Sequence, residues 1–263
     1  MSPPLNNNAN RAADITRAAL NNHIILGTKA ENTIPDFDTF ATPRYVTHNL
    51  ARTQNMLIRT GNDTSVARHL VHNYIHSGQE SQNSFDTIYI SNNPYSYQDL
   101  ANPVKTAKNV IANLCLEMFN RRDLADHSQA RDWDHILYGD TPIDTIEHNE
   151  YSLPPMRISR LVLVIDNTLD LIEHYGPEKA ANILAPIFKH GTRTGVHLVH
   201  VMPQKNTVDS HTQGLIEDFY TALDQATPDD TQYDTTITIM EPDKATWMSE
   251  NQFVSPKFTV LGA

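Results

Sequence analysis

Three apolar runs end in residues that can hold phosphates, cations or protons. The first is Met56-Leu-Ile-Arg-Thr-Gly-Asn-Asp-Thr-Ser65: an apolar strand, a polar loop with Gly61, Asn62 and Asp63, then the start of a helix. That order suits an anion, because the free N–H groups and positive dipole end of a helix point at what the loop presents. Laid on the phosphate-loop motif G-x-x-x-x-G-K-[ST], Ser65 takes the hydroxyl position and Thr64 the lysine position. Asp63 then stands at the second glycine and Ile58 at the first. An ordinary strand–helix turn fits the same residues. The second run is Leu161-Val-Leu-Val-Ile165, followed by Asp166 and Asn167. An apolar strand ending in an acid places a magnesium ligand in nucleotide hydrolases, commonly beside a residue that polarises the attacking water. Asn167 at that neighbouring place cannot accept a proton. A buried strand whose Asp166 caps the next turn is the plainer alternative. The third run is the strand Gly195-Val-His-Leu-Val-His-Val201, preceded by the basic turn around Arg193 and followed by the polar tip Met202-Pro-Gln-Lys205.

Other constellations are weaker. His69, His72 and His76 share one helical face. They could ligate a metal, but with no carboxylate cluster beside them a solvated or partly buried face is the simpler reading. His197 and His200 fall on opposite faces of a strand. Tyr89, Tyr95 and Tyr97 are stacking candidates, although aromatics at a strand end usually pack. No Ser-His-Asp order or metalloprotease motif is present, and the single cysteine, Cys115, excludes an internal disulfide and a cysteine-based zinc site.

These residues need elements to position them, and the chain supplies an alternation. Expected strands are His23–Gly27, Met56–Ile58, Thr87–Ile90, Arg160–Asp166, Gly195–Val201, Thr235–Met240 and Lys257–Leu261. Between them, helices are expected over Arg11–Leu20, Thr64–Ile75, from Pro177 toward His190 with a disturbance at Pro186, and over Gly214–Ala226. A further long helix is expected to start with Asn102 as N-cap and Pro103 as first residue. Its apolar positions Val104, Ala107, Ile111, Leu114, Cys115 and Met118 keep helical spacing. Strand and helix in turn predict an α/β fold with a mostly parallel sheet, whose ligands bind at the carboxyl ends of the strands. The first fifty residues read as peripheral, and Thr141–Pro155 as an exposed loop.

At 263 residues and 29.7 kDa the chain has room for one large domain or two small ones. Twenty lysines and arginines against 31 acids give a net charge of -11, which disfavours non-specific nucleic-acid binding by the whole surface. The longest apolar block is too short to span a bilayer, and Met1-Ser-Pro-Pro-Leu5 lacks a signal peptide's basic and apolar regions. A soluble, cytoplasmic protein is therefore expected.

Taken in order, the segments resemble the motor domain of the FtsK/SpoIIIE ATPases and of the related EccC ATPases of type VII secretion. Leu163-Val-Ile-Asp-Asn-Thr-Leu-Asp-Leu171 is similar to that family's V-[IV]-D-E-x-x-D-L, and Gly195–Val201 to its G-I-H-L-[IV]-x-A strand. Leu100-Ala-Asn-Pro-Val-Lys-Thr-Ala107 and Glu117-Met-Phe-Asn-Arg-Arg122 resemble its long helix ending in E-M-x-x-R-Y. The likeness runs from about Met56 to Asp209.

The resemblance implies a RecA-like P-loop fold over residues 51–263, with residues 1–50 as an extension. It implies ATP with Mg²⁺ as cofactor, held by Gly61, Asn62, Asp63, Thr64, Ser65, Asp166 and Asn167, with Ser65 and Asp166 on the metal. The departures at Thr64 and Asn167 imply weak or absent nucleotide binding and little hydrolysis. Arg59 and Arg68 are the cations able to stand in for the missing lysine. The expected function is a catalytically degenerate interaction or scaffold subunit of a DNA-translocation or secretion machine. The alternative is an active ATP-dependent translocase with an unusual phosphate loop. The expected partners are further copies of the chain or an active FtsK/EccC-type ATPase, met through Arg193, with no direct insertion into a membrane.

Overall fold

The computed structural model describes residues 23–29, 45–50, 55–61, 64–80, 85–93, 97–127, 159–227, 235–241, 244–249 and 257–260. Its strands are β1 (His23–Lys29), β2 (Tyr45–Asn49), β3 (Asn55–Thr60), β4 (Phe85–Ile90), β5 (Ala101–Asn102), β6 (Arg160–Ile165), β7 (Val196–Pro203), β8 (Thr235–Glu241), β9 (Lys244–Ser249) and β10 (Lys257–Val260). Its helices are α1 (Ser65–Glu80), α2 (Ala107–His127), α3 (Thr168–Tyr175), α4 (Pro177–His190) and α5 (Ser210–Ala226).

All ten strands join one sheet, in the order β2-β1-β10-β9-β8-β3-β7-β6-β4-β5. The six from β8 to β5 run parallel. Beyond β8 an antiparallel wing continues through β9, β10, β1 and β2. Every residue of β6 is buried, as its unbroken aliphatic run requires: a strand covered on both faces has no polar side to alternate with.

Odd and even positions sort the core into two layers. Met56, Ile58, Val162, Val164, Val199 and Val201 pack with Leu70, Val71 and Tyr74 of α1. Leu57, Leu163, Ile165 and Leu198 pack on the other face with Ile111 and Leu114 of α2, Leu184 and Phe188 of α4, and Phe219 of α5. Because side chains alternate along a strand, this sorting fixes where the strand-end residues point. Asp166 continues the row of Val162 and Val164 and faces α1. Arg59 follows Leu57 and faces away from α1.

The α/β parallel sheet is as expected, with three local corrections. The long helix does not start at Asn102 and Pro103. Ala101 and Asn102 pair with Tyr89 and Ile90 as β5, and the Asn102 side-chain amide donates to the Tyr89 carbonyl at 3.1 Å instead of capping a helix. Pro103 is extended (φ −60°, ψ 145°), a conformation its ring allows as readily as the helical one, and α2 begins only after a 3₁₀ turn over Val104–Thr106. Secondly, Pro186 does not end the regular part of α4, which continues as helix to His190. Thirdly, α5 starts four residues before Gly214, because the Asp209 carboxylate accepts from the backbone N–H groups of His211 (2.9 Å) and Thr212 (3.0 Å). The first fifty residues contribute more than expected: Ile24, Leu26 and Leu50 are buried in the core. Arg11–Leu20, Asn62, Asp63, Tyr95 and Thr141–Pro155 lie outside the described residues.

Candidate functional site

The carboxyl ends of β3, β7, β6 and β4 lie side by side, and the chemistry-bearing segments collect there. β3 ends at Thr60 and α1 begins at Ser65, so residues 61–64 are the whole connection. The phosphate-loop motif puts six residues, G-x-x-x-x-G, ahead of its Lys-Ser/Thr pair. Here the first three of those places, Ile58, Arg59 and Thr60, belong to β3 itself. Fewer backbone N–H groups are therefore available to wrap an anion. Thr64 and Ser65 are exposed at the helix start, and Gly61 is half-buried. The Thr64 carbonyl accepts from Arg68 N–H at 3.0 Å, the first helical hydrogen bond.

One strand, β7, separates β3 from β6, so Asp166 stands about 10 Å across the sheet from the end of β3. Its carboxylate is held from the neighbouring strand. The Tyr89 hydroxyl donates to Asp166 Oδ2 at 2.8 Å, and the Ser91 hydroxyl to the same oxygen at 2.5 Å. Tyr89 and Ser91 sit two residues apart on β4 and its end, on the face that Asp166 shares. Burial raises the Asp166 pKa; the Ser91 and Tyr89 hydrogen bonds oppose the shift, Asp170 adds to it, and the positive charge of Arg68 opposes it. Arg68 is thus the cation whose field reaches Asp166. Arg59, on the opposite face, is not part of this cluster.

Asn167 occupies the N-cap place of α3 without capping it. Its amide donates to Asp170 Oδ1 at 2.5 Å, and the Asn92 side chain also donates to Asp170, whose pKa burial raises. Asn92 accepts in turn from Val104 N–H at 3.3 Å. The place after the strand acid therefore holds an amide that orients a carboxylate and cannot remove a proton.

Two histidines that stood out in the sequence are structural. His200 is fully buried on the α3 face of β7, 2.9 Å from Thr168 Oγ1, and burial lowers its pKa to about 3. His197 lies on the other face, 3.5 Å from the buried Arg160 guanidinium. His72 meets Tyr97 (Nε2 to hydroxyl 3.2 Å) and stands 6.0 Å from His76, ring to ring; no metal-ligand group of three is present among the described residues.

Arg193 is exposed and apart from this cluster. It lies in the turn before β7, while Asp166 and the α1 N-terminus lie past the strands' other ends, so roughly 25 Å of strand intervenes. The turn is anchored from below. Arg121, fully buried, donates to the Thr194 carbonyl at 3.1 Å and pairs with Glu117 at 2.7 Å. Residues Glu117 and Arg121 of the E-M-x-x-R stretch therefore fix a turn.

The sequence missed Tyr89 and Ser91 as partners of Asp166, and Asn92 and Asp170 as partners of Asn167. The available signal was the two-residue spacing of Tyr89 and Ser91, both pointing to the Asp166 side of the sheet. The pairing of β4 with β6 completes it, and no local pattern encodes that pairing.

No helix among the described residues is long and apolar enough to cross a membrane. No protein-family model matches the chain, and no curated protein does. Solved structures do. The conjugation coupling protein TcpA of pCW3, in its monomer form with ATPγS, superposes with a TM-score of 0.56 at 10% identity, over 92% of this chain and 66% of that one. The cytoplasmic domain of the Thermomonospora curvata type VII secretion ATPase EccC gives 0.57 at 12% identity, over 91% of this chain and 28% of that one. EssC (ATPases 2 and 3) from Geobacillus thermodenitrificans gives 0.56 at 12% identity, over 91% and 44%. The chain thus spans less than half the length of the EccC and EssC chains and just under two thirds of TcpA. These neighbours are FtsK/SpoIIIE-type ATPases, and the fold of this chain is theirs: a parallel α/β sheet of the P-loop ATPase type.

Proposed function

We propose that the chain is a catalytically degenerate FtsK/SpoIIIE-like domain that works as an interaction or scaffold subunit of a DNA-transfer or protein-secretion machine in the cytoplasm. One observation supports the reading: the amide of Asn167, the residue that by the resemblance replaces the one polarising the attacking water, is engaged by Asp170. Losing both that base and the phosphate-gripping lysine should cost several orders of magnitude in rate.

The donor set fits half of what ATP with Mg²⁺ requires. Ser65 and Asp166 would hold the metal, as a hydroxyl and a carboxylate that both follow the carboxyl ends of parallel strands. Gly61, Asn62, Asp63 and Thr64 would face the phosphates with no lysine, one added acid and a short connection. Binding should therefore be weak or absent. Residues 51–263 form the proposed ATPase-like unit, with residues 1–50 as its extension. The proposed partner is a second copy or an active ATPase, docked through the turn that carries Arg193. The similar structures include a conjugation coupling protein and a type VII secretion ATPase, which supports either machine.

A second reading, an active translocase, has one observation in its favour: the charge of Arg68 acts on Asp166 from the first turn of α1. An ATPase assay of the purified chain, beside calorimetry with ATP and Mg²⁺, separates the two. The scaffold reading expects no turnover above buffer. Mg²⁺-dependent turnover abolished by Asp166→Ala would establish the translocase instead.

A further inference from the structure

A central parallel strand is normally covered on both faces, yet Arg59 of β3 is exposed. It stands in a row between Met202 of β7 and Thr238 of β8, on the face away from α1 and Asp166. Ile216 and Tyr220 form one wall, the Lys205–Thr207 turn forms another, and a groove of about 270 Å³ remains with Arg59 in its floor. Lys205 on the rim is answered by Glu217 at 3.3 Å. Among the described residues no hydrogen bond or ion pair engages the Arg59 guanidinium. Among the described residues no acid answers this arginine in its concave site, on a protein whose net charge is -11.

We propose that this groove binds a small organic oxyanion. Its phosphate or carboxylate meets the Arg59 fork, and its flat apolar body lies against the half-buried Pro203 and Tyr220, beneath which Met202 and Ile216 are buried. The guanidinium matches two oxygens of either group in parallel, which a point charge cannot do. The volume lies just under the usual range for drug-sized ligands, which favours a small molecule over a peptide or a nucleic-acid strand. The groove and the Asp166 cluster occupy opposite faces of the sheet, so this binding needs neither magnesium nor the strand acid, and it stands whether or not the scaffold reading does.

Calorimetry on the purified chain in EDTA, with phenyl phosphate, phenylacetate and AMP as three separate probes, tests it. Phenyl phosphate and AMP against phenylacetate tells a phosphate source from a carboxylate source. At least one probe should bind. Arg59→Gln should weaken it by about ten- to a hundred-fold, the worth of a charge-assisted hydrogen bond, and Arg59→Lys by less. Lys179→Gln, which removes one positive charge elsewhere, should leave it unchanged, and Tyr220→Leu should weaken probe binding with the circular dichroism spectrum intact. The proposal is overturned if no probe binds more tightly than about 10 mM. Equal weakening by Lys179→Gln and Arg59→Gln overturns it too, as does binding that appears only with added Mg²⁺.

Discussion

His200 makes the stability of this protein pH-dependent in a way that can be worked out beforehand. In the folded chain its pKa is lowered from 6.5 to about 3, because burial disfavours the charged imidazolium. The unfolded chain keeps the ordinary value. Between pH 6.5 and 3 the unfolded state therefore binds a proton that the folded state does not, and stability falls as the pH falls. Each pH unit well inside that window costs about 1.36 kcal/mol. From pH 7 to pH 5 the loss from this one residue comes to about 2 kcal/mol, since the first half-unit lies above the window. His200→Asn removes the titration while leaving an amide able to reach Thr168. Urea unfolding of both proteins at pH 7, 6 and 5 isolates the effect, because every other titrating group is common to the pair. The wild type should lose about 2 kcal/mol more than the variant over that range. Parallel curves, within about 0.5 kcal/mol, would mean that His200 charges in place and that the buried site is wet.

Four further outcomes are expected. Gly176 joins α3 to α4 at φ 85°, ψ 153°, where a Cβ meets no neighbour but the backbone is strained for any other residue, so Gly176→Ala should cost about 1–3 kcal/mol. Gly214→Ala, in open space within α5, should stabilise by up to about 1 kcal/mol; thermal melts that order the two the other way refute the backbone argument. Ser91→Ala removes a donor that favours the Asp166 carboxylate, so a carbon-detected NMR titration should find the Asp166 pKa higher than in the wild type, and an unchanged value would show that the hydroxyl points elsewhere. Arg193→Glu should weaken self-association or partner capture in light scattering, with stability changed by less than about 0.5 kcal/mol since the side chain is exposed; undiminished association would remove this turn from the interface.

What the sequence made legible follows a physical line. β6 and β7 were readable because burial on both faces leaves an aliphatic run that only an inner strand tolerates. α1 and α5 were readable from their apolar spacing. β2 and β9 were not: their sequences, Tyr45–Asn49 and Lys244–Ser249, mix polar and apolar residues without a continuous apolar run, and their place in the sheet rests on pairing with β1, β8 and β10. Asn102 misled because the same side chain serves as a helix cap or as a donor to a neighbouring strand, and only the position of Tyr89 decides. In the candidate site, Ser65, Asp166 and Asn167 stood out because each follows or precedes a regular element. The hydroxyls that hold Asp166 come from a strand about 75 residues earlier and carry no local mark. Arg59 and Arg68 looked equivalent in the sequence, and the two-residue period of β3 separates them.

The wing of the sheet sets an order of events during synthesis. Gly27 of β1 lies opposite Val260 of β10, and β10 is the strand that connects β1 and β2 to the rest. The parallel half, from β3 to β8, can be assembled from residues that have already left the ribosome. β1 and β2 cannot dock by their own pairing until β10 has emerged, so Ile24 and Leu26 are made early and buried late. Until then β1 and β2 pair only with each other and keep an apolar side uncovered, the kind of surface that holdase chaperones recognise.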